Sequence, residues 1–253
     1  MPKAKAAAAR ALQLDEDLAE GHASLGWLLM FYDWDWVGAE REFKRAIELN
    51  PNSAIPHRYY AWCLASLSRF DEALSESKRA MELDPLSLFI NRSAGTVLYC
   101  ARQYDQAIDQ FKKTSELDPN FRQAYGWLVK AYEAQGLHDK AVEADLTERD
   151  IAGGRAEEAI PTLKTAYASA GWKGYWQKAL ENEIAEPNSI YDPYAFAVIY
   201  TRLGEKKLAL QWLEKAYDER VCLMTSIKVN PEFDLLRSEP RFQELQHRIG
   251  LTR

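Results

Sequence analysis

The sequence has few cysteines and lacks the paired spacing that a disulfide or a metal site would need. Its 253 residues contain three cysteines, Cys63, Cys100 and Cys222, which lie far apart among apolar residues. No CxxC-type pair occurs, and none of the four histidines lies near a cysteine at a metal-ligand spacing. We therefore expect no metal site and small buried thiols in a reducing compartment.

Long apolar runs are also missing. The longest dense run covers residues 25–32, whereas a membrane-spanning helix needs about 20 apolar residues. The N-terminal alanines are too few and too weakly apolar for the core of a signal peptide. The sequence thus predicts a cytoplasmic protein without membrane contact.

Motifs that carry chemistry are absent as well. The sequence contains neither a glycine-rich phosphate loop nor a GxSxG or HExxH motif. Paired acids such as Asp71 and Glu72 are explained by the preference of helix starts for negative charge. A net charge of −6 gives no overall footprint for a phosphate backbone. We therefore predict no catalytic residue, no cofactor, no enzymatic activity and no direct binding of nucleic acid.

What the sequence does contain is a repeat of 34 residues. Four alanines keep this interval, and three prolines, each preceded by Glu-Leu-Asn or Glu-Leu-Asp, keep it too: Ala39, Ala73, Ala107 and Ala141, with Pro51, Pro85 and Pro119. A period of this length indicates stacked units, because one unit cannot bury its apolar face alone.

The repeat resembles the tetratricopeptide pattern W-x₂-L-G-x₂-Y…A-x₃-F…P. Leu25-Gly26, His57-x₂-Tyr60 and Tyr125-x₂-Leu128 keep the size classes of that pattern. The match is good over residues 19–141 and partial over 190–220. The resemblance implies an all-α, right-handed superhelical solenoid of antiparallel helix pairs that binds protein partners and performs no chemistry.

Short segments also resemble the C-terminal repeat region of multidomain bacterial regulators. These are the Asp-Trp-Asp-Trp turn at 33–36, Gly-Tyr-Trp at 174–176, and the C-terminal segment from Val229. In such proteins the array follows a winged-helix domain, a nucleotide cyclase or a Ser/Thr kinase.

The repeat phase divides the chain into five parts. They are the second helix of a truncated repeat (1–15), regular units (16–153), a degenerate helical repeat (154–189), a repeat-like unit (190–220) and a C-terminal cap (221–253). The cap ends in a helix with Phe242, Leu245 and Ile249 on one face. Because residues 1–15 lack a partner helix, we expect a fragment, or self-association through this end.

One extra residue must lie near the turn at 33–36, because the interval from Glu16 to Pro51 is 35. We expect Asp33 or Asp35 to cap the next helix while the two tryptophans staple the turn. The alternatives are a cation bound by the two acids and an aromatic contact with a partner.

In tetratricopeptide proteins a second stripe on each first helix lines a concave groove that holds an extended peptide. Transferred by position, the groove residues are Trp27, Arg58, Trp62, Arg92, Thr96, Tyr99 and Lys130. The basic row of Arg58, Arg92 and Lys130 predicts an acidic peptide, although a solvated face without a ligand would show the same pattern. Some relatives clamp a chaperone's C-terminal carboxylate with Lys and Asn, but no such asparagine occurs here, so we do not expect that partner.

The leading hypothesis is a non-catalytic scaffold that binds a peptide or a partner protein in the concave groove. A regulatory or sensory segment of a larger transcription regulator, cyclase or kinase is the first alternative, and the upstream reading frame would test it. A structural oligomerisation module is the second, and light scattering would test that.

Overall fold

A computed structural model describes residues 2–185 and 192–252, in which the chain forms fourteen α-helices and no strand. The first nine are α1 (Pro2–Leu14), α2 (Ala19–Leu28), α3 (Trp36–Leu49), α4 (Ala54–Ser66), α5 (Phe70–Leu83), α6 (Leu88–Cys100), α7 (Tyr104–Leu117), α8 (Arg122–Ala134) and α9 (His138–Ala152). The rest are α10 (Gly154–Glu158), α11 (Ile160–Ile184), α12 (Pro193–Arg202), α13 (Lys206–Asp218) and α14 (Pro240–Arg248). None of these helices is both long and apolar enough to cross a membrane.

Helices α2 to α9 form four consecutive pairs, and α12 with α13 forms a later one. The four repeat alanines of the second helices are fully buried. Small residues also occur where the pairs cross. A Cβ atom at Gly95 would lie 2.4 Å from a ring carbon of Phe111, and one at Gly26 would lie 2.7 Å from Phe43. The predicted solenoid of helix pairs is confirmed, and close contact between backbone and ring explains why these positions are small.

The extra residue of the first unit is accommodated by a π-helical turn, Leu29–Asp33, which ends at Trp34 with a positive φ of 57°. Asp35 then caps α3, because its carboxylate accepts a hydrogen bond from the Gly38 backbone at 2.9 Å. Asp33 pairs with Lys5 of α1. Both acids therefore have partners within the chain. Trp34 and Trp36 are buried, so the alternative of an exposed aromatic contact is wrong.

Polar bridges recur at equivalent positions of three successive units. The ring of His57 contacts Glu76 at 2.5 Å through Nδ1 and the carbonyl oxygen of Pro51 at 3.3 Å through Nε2. His22 makes the same bridge one unit earlier, and the Asn91 amide makes it one unit later. These positions connect a loop to both helices of a unit, which is a structural role.

The repeat pattern weakens after α8 because a buried acid replaces an apolar residue and two glycines interrupt the helices. Asp145 occupies an apolar position of α9 but is buried, accepting hydrogen bonds from Arg149 at 2.6 Å and from the Tyr175 hydroxyl. Helix α9 ends at Gly153, and α11 is broken at Gly171, where φ is 62°. The predicted boundary at 189 and 190 lies outside the described residues.

The C-terminal part does more than cap the last pair. Two 3₁₀ turns, Cys222–Ser226 and Pro231–Leu236, precede α14 and share one apolar core with the first two units. Trp36 Nε1 donates to the Ile249 carbonyl at 2.7 Å. The last elements of the chain therefore contact its first repeat. At the other end, α1 packs on α2 with Ala8 buried, while Leu14 is 74% exposed.

Candidate functional site

The predicted groove is occupied by the chain itself. We call residues 221–237, with their two 3₁₀ turns, the inner segment. It crosses the concave row of three successive units through side-chain hydrogen bonds: Trp62 to Thr225 at 3.2 Å, Tyr99 to Asn230 at 3.4 Å, and Lys130 to Glu232 at 2.6 Å. Groups that we expected to face a peptide thus contact an intramolecular segment.

This arrangement corrects the predicted groove. Thr96 and Tyr99 are each 1% exposed, and the Thr96 hydroxyl donates to the Arg92 carbonyl at 3.0 Å within its own helix. Neither residue offers surface to an external ligand, and Tyr99 contacts Asn230 of the inner segment. The sequence placed them in the groove because the repeat pattern contains no information about a segment more than 100 residues away.

A buried ionic cluster fixes the inner segment to the array. Glu232 lies 2.6 Å from Lys130 and 3.0 Å from Arg202, which also pairs with Glu133 at 2.6 Å. Burial alone would raise the pKa of Glu232, but the charges of Lys130 and Arg202 outweigh it and lower that pKa. The Arg202 guanidinium also lies 4.1 Å from the centre of the Trp176 ring.

The inner segment contributes to the apolar core of the fold. Its side chains Met224, Ile227, Phe233 and Leu236 have no exposed surface. Burial of such a side chain stabilises by about 1.5–3 kcal/mol, or roughly 6–12 kcal/mol for the four as an upper estimate. A ligand that displaced the segment would have to replace this burial and also the ion pairs of Glu232 with Lys130 and Arg202. We therefore expect a partner to use the surface that the segment leaves uncovered.

Two arginines of the predicted basic row have guanidiniums that are available to a ligand. Within residues 2–185 and 192–252, neither Arg58 nor Arg92 forms a hydrogen bond or ion pair through its guanidinium, and the Nε atom of each is buried without a partner. The Arg58 guanidinium lies 4.5 Å from the centre of the Tyr59 ring. Burial, followed by the neighbouring charge of Arg58, lowers the pKa of Arg92 to about 10.

Arg92 also lines the space that the inner segment leaves unfilled. This cavity of about 560 Å³ lies between α8 and α9 on one side and α11 and α12 on the other. Its other cations, such as Lys130 and Arg149, are paired with carboxylates. Trp27, the remaining predicted residue, is half-buried in the first unit against Phe31, with ring centres 4.9 Å apart.

A family model described as Tetratricopeptide repeat matches residues 35–87 and 93–153, the segment that contains α3 to α9. This part of the chain consists of tetratricopeptide repeats. A comparison with curated proteins finds no match.

Several solved structures resemble this chain in fold. PilF of Pseudomonas aeruginosa is 18% identical with a TM-score of 0.58, over 81% of this chain and 88% of that chain. PilW, a widely conserved type IV pilus biogenesis factor, is 20% identical with a TM-score of 0.57, over 75% of this chain and 87% of that chain. MamA is 24% identical with a TM-score of 0.51, over 60% and 89%. The resemblance to multidomain bacterial regulators stays a prediction.

The described residues also contain no group of three or more His, Cys, Asp or Glu side chains arranged to hold a metal ion. Among the predicted groove residues, Arg58 and Arg92 are the charged side chains without a carboxylate partner in the described part of the chain, and they form the centre of the candidate site.

Proposed function

We propose that this protein is a non-catalytic interaction scaffold that binds an acidic segment of a partner protein at Arg58 and Arg92. The observation that carries the proposal is the pair of neighbouring guanidiniums without a carboxylate. Trp27 and Trp62 stay predicted contacts of the partner at the edges of this site, whereas Lys130 is already paired with Glu232.

The electrostatics favour an anion here. A part-buried charge without a partner is costly, and the like charge beside it adds to the cost. A carboxylate between the two guanidiniums would relieve both effects through charge-assisted hydrogen bonds. Lys130, a cation of the same predicted row, already has such a partner, because it pairs with a carboxylate of the inner segment at 2.6 Å.

A labelled oligoglutamate peptide tests the proposal in titrations followed by fluorescence anisotropy. We expect binding that weakens as salt is raised, because salt screens exposed charge. Arg58→Glu with Arg92→Glu should abolish it. Arg45→Glu with Arg79→Glu is the matched control, because it makes the same change of net charge at half-exposed arginines on second helices. Equal loss in both double variants would mean that only net charge matters, and no loss in the first would refute the site.

A further inference from the structure

Large apolar side chains are exposed beside the two open arginines. Ile55 is 43% exposed, Phe89 is 51% exposed, and Leu86, in the turn before α6, is 73% exposed. Phe89 contacts Phe121 edge to face, with ring centres 5.5 Å apart. Exposed apolar side chains are ordinary singly, but a cluster beside unpaired charge indicates an interaction surface.

The cluster follows the repeat. Ile55 and Phe89 are 34 residues apart, and each lies three residues before an arginine, Arg58 or Arg92. Residues three apart on a helix share one face, and α4 packs beside α6. Two neighbouring helices therefore present an outer row of apolar side chains and an inner row of guanidiniums.

The two rows end after two repeats. In the first unit the equivalent positions hold Glu20 and Ala23. In the fourth they hold Gln123 and Gly126, and a Cβ at Gly126 would lie 3.0 Å from the Glu148 carboxylate. An acidic ligand would meet carboxylates beyond both ends, so the surface suits a short segment.

We propose that these rows form one docking surface for an extended partner segment in which acidic and large apolar residues alternate. The inference rests on the proposed function and adds that apolar residues of the same partner segment bind to the outer row. In an extended chain successive side chains point to opposite sides, so alternation places carboxylates on the inner row and apolar groups on the outer row. Packed helices lie about 8–10 Å apart, a distance that roughly three extended residues span. Two or three alternating pairs therefore reach both helices.

The test compares three synthetic peptides with the same number of glutamates. In the first, glutamate alternates with leucine or phenylalanine; in the second the same residues stand in two blocks; in the third serine replaces every apolar residue. The alternating peptide should bind about tenfold or more tightly than either of the others.

Variants of the chain separate the two rows. Ile55→Ser with Phe89→Ser should weaken binding of the alternating peptide about tenfold and leave binding of the serine peptide unaffected. Val37→Ser with Leu117→Ser is the matched control, because these residues are 67% and 44% exposed elsewhere on the array. Circular dichroism checks that each variant is folded.

The outcomes are distinguishable. If Arg58→Glu with Arg92→Glu abolishes binding while Ile55→Ser with Phe89→Ser changes nothing, the apolar row is refuted and the acidic site stands. Equal affinity for the alternating and blocked peptides also overturns the inference. If the arginine variant binds all three peptides as well as the parent does, the proposed function fails together with it.

Discussion

Glu232 Oε2 lies 2.6 Å from Lys130 Nζ, so a carboxylate near the end of the chain neutralises a cation of the fourth helix pair. The same carboxylate group is 3.0 Å from Arg202. The basic row predicted from the repeat is therefore divided. Its third member is satisfied internally, and only Arg58 and Arg92 are left for a partner.

Removal of the Glu232 side chain should destabilise the whole protein. Glu232→Ala leaves the part-buried Lys130 without its partner and the buried Arg202 with only one, and loss of a partner from a buried pair typically costs about 3–5 kcal/mol. Urea unfolding followed by circular dichroism measures this loss in the free energy of unfolding. Glu219→Ala is the control, because the exposed pair of Glu219 with Lys215 at 3.8 Å should contribute less than about 1 kcal/mol. Similar losses in the two variants would contradict a central role for the cluster.

The helix pairs were predictable because their determinants are local. Ala73 and Ala107, one repeat apart, are buried at equivalent positions of their helix pairs. A small residue such as Gly95 is required where an aromatic ring lies against the helix backbone. The cap of α3 was predictable for the same reason, since Asp35 bonds to a backbone amide three residues away.

The inner segment was not predictable, because its contacts join residues that are far apart in sequence. Nothing in the repeat indicates that Tyr99 meets Asn230 or that Trp62 meets Thr225. One signal was available. Met224 and Phe233 belong to a stretch between two helices that is too apolar for a surface loop, and both side chains are fully buried.

Stability should fall in acid through Glu40. Burial alone would raise the pKa of Glu40, but hydrogen bonds from Lys44, Arg69 and Tyr60 outweigh it and lower that pKa from 4.5 to about 2. The folded state thus gains stability from the ionised carboxylate above pH 4.5 and loses it as the pH falls towards 2. After allowance for solvent screening, we expect this contribution to be about 1–2 kcal/mol.

Glu40→Gln should flatten this dependence. Unfolding free energies measured in urea between neutral pH and pH 3 would decrease less for the variant than for the parent. Glu48→Gln, at an exposed position of the same helix, is the control and should keep the parent's slope. An unchanged slope in Glu40→Gln would show that other carboxylates govern the acid response.

Two of the three thiols should be unreactive in the folded protein. Burial raises the pKa of Cys63 and of Cys100 to about 12, so neither forms the reactive thiolate near neutral pH. Cys222 is only partly buried. We expect a thiol reagent to label Cys222 slowly in buffer and all three thiols in urea, as counted by mass spectrometry. The Cys222→Ser variant should be unlabelled until it unfolds; rapid labelling of Cys63 or Cys100 would contradict the buried environment.

Arg92 should support binding at a cost in stability. Its Nε is buried without a partner, and burial together with the charge of Arg58 disfavours the charged form. Replacement of such a charge by an apolar side chain of similar length is often stabilising, so Arg92→Met should raise the free energy of unfolding by about 1 kcal/mol while it abolishes binding of an acidic peptide. Arg202→Met is the matched control, because Arg202 is buried but paired with Glu133 and Glu232. That variant should lose about 3–5 kcal/mol, since it leaves two carboxylates with fewer partners. If Arg92→Met is destabilised as strongly as Arg202→Met, the guanidinium of Arg92 is already satisfied, and the argument that it awaits an anion fails.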